Sequence, residues 1–291
     1  MELKKELDLA LGEIQTENKT KEVCTLNHIE FWNINRFDRG IEGMPDWLWC
    51  FDKKDLVLLA GYPSTGKTEF TFFLAKENAK NWQKVLYISL ELPAQQLIER
   101  LARKKTWITK KMRQDNDITE QQMNNMERQF NKVKDLENLV IAGYKSSPNV
   151  DMLEDTIRKY KKQGFDLFFI DNLGKITGED NENKRFDIIS SRLQDLKNNQ
   201  DICIFLLHHL SKPQRNMAYS PWWPWAIRGS QKLIDNSSLV FEIYRDLDPD
   251  AIENDKKRVE LILYKDTMDG ATWIVELEFQ AGEYVIYNKT F

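Results

Sequence analysis

From about residue 55 onward, apolar runs of strand length alternate with stretches whose apolar positions recur every three to four residues. The runs are DLVLLAG (55–61), KVLYISLE (84–91), NLVIAG (138–143), FDLFFIDN (165–172), DICIFLLHH (201–209) and SLVFEIY (238–244). Between them lie helical patterns such as NVDMLEDTIRKYKKQG (149–164) and KRFDIISSRLQDLKNNQ (184–200). A near-continuous apolar strand must be covered on both faces, and alternation with helices supplies that cover, so the pattern predicts a doubly wound α/β domain with a mostly parallel sheet. After residue 255 the rhythm changes: RVELILYKDTMDGATWIVELEFQAGEYVIY (258–287) holds three strand-like runs joined by turn signals at MDGA and AGEY, which predicts a C-terminal antiparallel β meander. Residues 104 to 137 are polar and helix-rich, the pattern of a surface excursion.

Ahead of this body, Leu3, Leu7, Leu11 and Ile14 recur at helical spacing among charges, the pattern of a short amphipathic helix. Its apolar stripe packs either on its own domain or on a neighbouring subunit. The chain therefore divides into a helix and linker over 1–48 and one α/β domain over 49–291. Length agrees, since 291 residues suit one large domain with an appendage. A formal charge of −4 excludes a broadly basic surface, so contact with nucleic acid needs a local basic patch. Cys24, Cys50 and Cys203 fit neither a disulfide framework nor a metal motif, and no apolar run reaches membrane-helix length. A cytoplasmic protein without a membrane segment is expected.

Chemistry enters at GYPSTGKTEF (61–70), which sits between a predicted strand and a predicted helix. Gly61, Gly66, Lys67 and Thr68 match the phosphate-binding loop pattern, with Ser64, Thr65 and Glu69 in the same turn. Glycine lets the backbone curl so that amide N–H groups face phosphate oxygens, Lys67 meets the outer phosphates, and the Thr68 hydroxyl suits magnesium. The ligand expected is a nucleoside triphosphate with Mg2+. Ligands in open α/β sheets bind at the carboxyl ends of the strands, which directs attention to four other residues. Asp171 is placed to hold magnesium, Glu91 to deprotonate the attacking water, His209 to sense the outer phosphate, and Arg245 to lie over the base. Each has a plainer alternative: Asp171 and Glu91 as helix N-caps, His208 in place of His209 as the inward residue, and Arg245 as an ion pair with Asp246.

Taken in order, LLAGYPSTGKTEF, VLYISLELPAQQLIERL, FDLFFIDNLGKI, FDIISSRLQDLKNNQDICIFLLHHLSKP, IRGSQKLIDNSSLVFEIYRD and LILYKDTMDGATWIVELEF resemble the RecA-like motor domain of DnaB-type and phage replicative ring helicases. The resemblance covers roughly residues 50 to 280. It implies an ATP-hydrolysing helicase or translocase on single-stranded DNA, a ring-shaped homo-oligomer of hexamer type, and the roles given above for Lys67, Thr68, Glu91, Asp171, His209 and Arg245. It also implies that Phe279 forms a second face for the base. In such proteins the segment after the sensor strand lines a DNA channel, and here it reads LSKPQRNMAYSPWWPWAIRG. Lys212, Arg215 and Arg228 occur there without an acid, among Tyr219, Trp222, Trp223 and Trp225. Cations beside aromatic faces suit sequence-tolerant binding of single strands, although PWWPW also suits a rigid packing plug. One departure stands out: the resemblance implies that each site is completed by an arginine from the adjacent subunit, in a K-x-R tract that here reads Lys265, Asp266, Thr267, so the lysine is kept and the arginine finger is not. Lys265 or Arg258 then substitutes, or hydrolysis is slow. A recombinase-like filament protein and a nucleotide-gated scaffold with little hydrolysis remain the alternatives.

Overall fold

The computed structural model describes residues 36–37, 51–106, 108–115, 117–210, 231–245, 258–268, 270, 272–280 and 283–290. The chain divides into two units, Met1–Asn35 and Arg36–Phe291, and every described residue belongs to the second. The amphipathic helix expected over 1–20 and the cationic aromatic segment with Lys212, Arg215 and Arg228 lie outside the described residues.

All six apolar runs form strands. After a short antiparallel pair, β1 (Arg36–Phe37) with β2 (Phe51–Asp52), come β3 (Leu56–Gly61), β4 (Val85–Ser89), β5 (Leu139–Gly143), β6 (Leu167–Asp171), β7 (Cys203–His209) and β8 (Leu239–Tyr244). The meander follows as β9 (Arg258–Asp266), β10 (Trp273–Gln280) and β11 (Glu283–Thr290). One nine-stranded sheet results, in the order β11-β10-β9-β8-β3-β7-β6-β4-β5. The stretch from β8 to β5 is parallel throughout, and β9, β10 and β11 attach antiparallel to one another beyond β8. Both sheet expectations hold.

Among the described residues the α-helices are α1 (Lys67–Lys80), α2 (Ala94–Thr106), α3 (Lys110–Gln114), α4 (Glu120–Lys134), α5 (Val150–Lys161), α6 (Glu182–Gln200) and α7 (Gln231–Asn236). Because strand side chains alternate in direction, each strand feeds two cores. Val57, Leu59, Val85, Tyr87, Phe169 and Phe205 pack with α1 and Leu97 of α2, whereas Leu58, Leu86, Ile88, Phe168, Ile170 and Leu206 pack with α5, α6 and Leu233 of α7. The first core is rich in rings: Phe169 stacks on Phe205 at 4.7 Å between centroids, and Phe51 meets Phe205 edge-on at 4.6 Å. Helix α1 lacks a polar face, with Phe70, Phe72, Phe73 and Leu74 all buried, as expected of a helix covered on several sides. The polar excursion instead depends on local signals, α4 opening with a capping box between Thr119 and Gln122.

Candidate nucleotide site

The loop between β3 and α1 is shaped by its small residues. A Cβ on Gly61 would lie 2.7 Å from the Ile243 carbonyl oxygen and 2.9 Å from Thr65 Oγ1, so only glycine fits between neighbouring strand and loop. Gly66 takes φ 103°, a left-handed conformation that glycine adopts without strain, and α1 starts at the next residue. Thr65 closes the turn by donating from Oγ1 to the Tyr62 carbonyl at 2.9 Å, and Ser64 is exposed at the tip.

Lys67 is buried at the base of the loop, where its Nζ donates to the carbonyls of Gly61 and Tyr62, both at 2.7 Å. Burial pulls its pKa from 10.5 down to about 8, against the opposing pull of Asp171, Glu91 and Glu69. Glu69 is held by Arg100 of α2, whose Nη2 donates to Oε1 at 3.1 Å, tying the loop helix to the helix that follows Glu91.

Next to the loop, the Thr68 hydroxyl donates to Asp171 Oδ2 at 2.8 Å. The same oxygen accepts from the Tyr87 hydroxyl at 3.0 Å, and that hydroxyl lies 3.1 Å from Thr71 Oγ1. The N-cap alternative for Asp171 therefore falls, since its carboxylate serves Thr68 and Tyr87. Burial raises the Asp171 pKa, Thr68 and Tyr87 counter it with hydrogen bonds, and nearby Glu91 adds to the rise. Thr68 and Asp171 present hard oxygen donors side by side, which fits Mg2+ shared with nucleotide phosphates. The Asp171–Asn172 peptide bond is cis.

Strand β4 ends at Ser89, two residues before Glu91, which is exposed beyond the strand and ahead of α2. Its Oε2 accepts from Asn172 Nδ2 at 3.1 Å, so Glu91 too is engaged at the site rather than as a cap. Asn172 Nδ2 also lies 3.1 Å from His209 Nε2. Strand alternation parts the two histidines: His208 is buried edge-on against Phe186 at 4.9 Å, and His209 turns to the Glu91 side.

The parallel order puts the ends of β3, β4, β6, β7 and β8 along one edge of the sheet, and Lys67, Thr68, Glu91, Asp171 and His209 gather there. Arg245 follows β8 directly, half-buried on that same edge. Phe279 is near the end of β10, which runs in the direction of β8, so its backbone reaches the same edge. Lys265 is elsewhere: it pairs with Val240 early in β8, and its Nζ donates to the carbonyls of Ile234 and Asp235, both at 2.9 Å, at the end of α7. Thr267 is bonded through its N–H to the Ser238 carbonyl, just before β8 begins. The K-x-R tract thus points away from this chain's own phosphate loop, and Arg258 lies at the other end of β9, opposite Glu278. Lys265 therefore stands apart from the residues gathered around its own chain's loop.

Sequence reasoning missed Asn172, Tyr87, Thr71 and Arg100. Tyr87 reads as one more apolar residue of VLYIS, and an asparagine after a strand reads as a turn residue. The only available signal was the polar pair Asp171-Asn172 closing an otherwise apolar run.

Comparison with known proteins bears on the fold and the family. The family model of the DnaB-like helicase C terminal domain matches residues 37–288. The replicative DNA helicase DnaB of Pasteurella multocida is 26% identical over 278 residues, covering 91% of this chain and 59% of that protein. The probable plasmid replicative DNA helicase of Chlamydia trachomatis is 25% identical over 239 residues, covering 81% and 52%. The chain thus spans somewhat more than half the length of these relatives. Among solved structures, the ATPase domain of G40P aligns with a TM-score of 0.68 at 24% identity, covering 81% of this chain and 85% of that one. A KaiC-like protein of Pyrococcus horikoshii aligns at 0.59 with 16% identity, covering 88% of this chain and 100% of its own. These likenesses establish the RecA-like fold. With a phosphate loop, two strand-end acids and a histidine converging at one edge of that fold, the chain belongs to the DnaB-like helicase C-terminal domain family.

Proposed function

We propose that this protein is an ATP-driven motor that moves along single-stranded DNA as a ring of identical subunits in the cytoplasm, with residues 49–291 as the motor domain and 1–48 as an appended helix and linker. The observation that carries the reading is the convergence of Lys67, Thr68, Asp171, Glu91 and His209 at one sheet edge within a DnaB-like family domain.

In this reading the amides of the loop and Lys67 grip the phosphates of ATP, Lys67 leaving the Gly61 and Tyr62 carbonyls to do so. Thr68 and Asp171 hold magnesium, which when bound neutralises charge on the transferring phosphoryl group. Glu91 orients the attacking water and takes its proton. His209 meets the outer phosphate, and Arg245 with Phe279 flanks the base. Lys212, Arg215 and Arg228 track the DNA backbone. Lys265 serves the site of an adjacent subunit, leaving the Ile234 and Asp235 carbonyls to do so.

The test is steady-state ATP hydrolysis with and without single-stranded DNA, with particle mass followed in the same samples. Strong stimulation with a ring-sized particle is the expected outcome, and Glu91→Gln should bind ATP without turning it over. A monomer whose hydrolysis ignores DNA would sink the motor reading. Thr267 in place of the family's arginine favours one second reading, a nucleotide-gated scaffold, which requires ATP binding with negligible turnover even on DNA.

A further inference from the structure

The sheet order sets β6 between β4 and β7. Asn172, the first residue beyond β6, therefore stands between the strand that leads to Glu91 and the strand that ends in His209. Its side-chain nitrogen is 3.1 Å from Glu91 Oε2 and 3.1 Å from His209 Nε2, and the residue is only 2% exposed. A carboxylate only accepts, so the amide must turn its NH2 toward Glu91. An amide nitrogen does not accept, so the second N–H is given to His209, whose Nε2 is then the acceptor and whose ring hydrogen is on Nδ1. On its other side the amide oxygen faces Gly174, where a Cβ would lie 3.2 Å from Oδ1, so the glycine leaves it room. Reversing the amide would set its oxygen against the Glu91 carboxylate.

From this fork we infer that Asn172 is a positioning residue that couples the histidine to the catalytic base. With both N–H groups committed, a movement of His209 toward or away from a phosphate displaces the amide, and the amide displaces the Glu91 carboxylate. Base alignment thereby follows the state of the phosphate. The inference rests on the roles proposed for Glu91 and His209 and adds to them a third, buried residue that joins the two.

The experiment measures kcat and KM for ATP in Asn172→Ala, Asn172→Asp, His209→Ala, the Asn172→Ala/His209→Ala double variant and Glu91→Gln. A misplaced base costs rate rather than nucleotide affinity, so Asn172→Ala should lower kcat by roughly 10- to 100-fold with KM within about threefold. Asn172→Asp keeps the shape and removes both donors, which guards against a folding defect in the alanine variant, and should lose kcat at least as far. Because one link joins the two residues, the double variant should fall no more than about twofold below its weaker parent. Aspartate and alanine variants within about twofold of wild type, or losses that multiply in the double variant, overturn the inference. Glu91→Gln separates the two levels. Inactive Glu91→Gln beside active Asn172 variants overturns the coupling alone, and full turnover in Glu91→Gln overturns the base assignment and the coupling with it.

Discussion

Replacing Lys67 with methionine removes the charge while keeping most of the stem, and the consequence for stability can be worked out from its surroundings. Burial is the leading cause of the fall in its pKa from 10.5 to about 8. At about 1.4 kcal/mol per pH unit, that difference is a destabilisation of roughly 3 kcal/mol when the amine is charged. For a cation with a lowered folded pKa, the unfolded chain holds more protons between about pH 8 and 10.5, so wild-type stability rises with pH in that window. The penalty is fully present below about pH 8 and is relieved above it. Lys67→Met lacks the penalty, though it also leaves the Gly61 and Tyr62 carbonyls without their 2.7 Å donor. The lost hydrogen bonds offset part of the gain at every pH, while the titrating part belongs to wild type alone. Urea unfolding of both proteins at pH 7 and pH 9.5 isolates it: the stability difference should move toward wild type by about 2 kcal/mol over that interval. A difference that is the same at both pH values would refute the burial argument for Lys67.

Three further outcomes can be measured, two at the same site and one on the cationic segment after β7. Phosphates favour the charged amine, so ATP binding above about pH 8 should take up a proton at Lys67; calorimetry in buffers of unlike ionisation enthalpy should show the uptake, and affinity should decline as pH rises further. Gly61→Ala forces a methyl to within 2.7 Å of the Ile243 carbonyl, and should cost about 1–3 kcal/mol in urea unfolding while weakening ATP binding. If Lys212 and Arg215 contact DNA phosphates, Lys212→Ala/Arg215→Ala should flatten the slope of log affinity against log salt by about two, with ATP binding in the absence of DNA unchanged.

By itself the sequence determined the strands of the sheet and the loop between β3 and α1. Unbroken apolar runs such as FDLFFID admit only a strand buried on both faces, and GYPSTGKT admits little besides a phosphate loop, because both signals are local. Strand order is not local. Only the tertiary structure set β6 between β4 and β7, and with it the contacts of Asp171 with Thr68 and Tyr87 and of Asn172 with Glu91 and His209. Tyr87 was hidden for the same reason: its ring satisfies the apolar pattern, and only the neighbouring strand reveals that its hydroxyl has a carboxylate to hold. Lys265, on a tract expected to serve an adjacent subunit, is carried away from its own chain's loop by the antiparallel return of β9. Periodicity records which face of an element is buried; which residues meet across a sheet is decided by strand partners far apart in the chain, whose pairing no local pattern specifies.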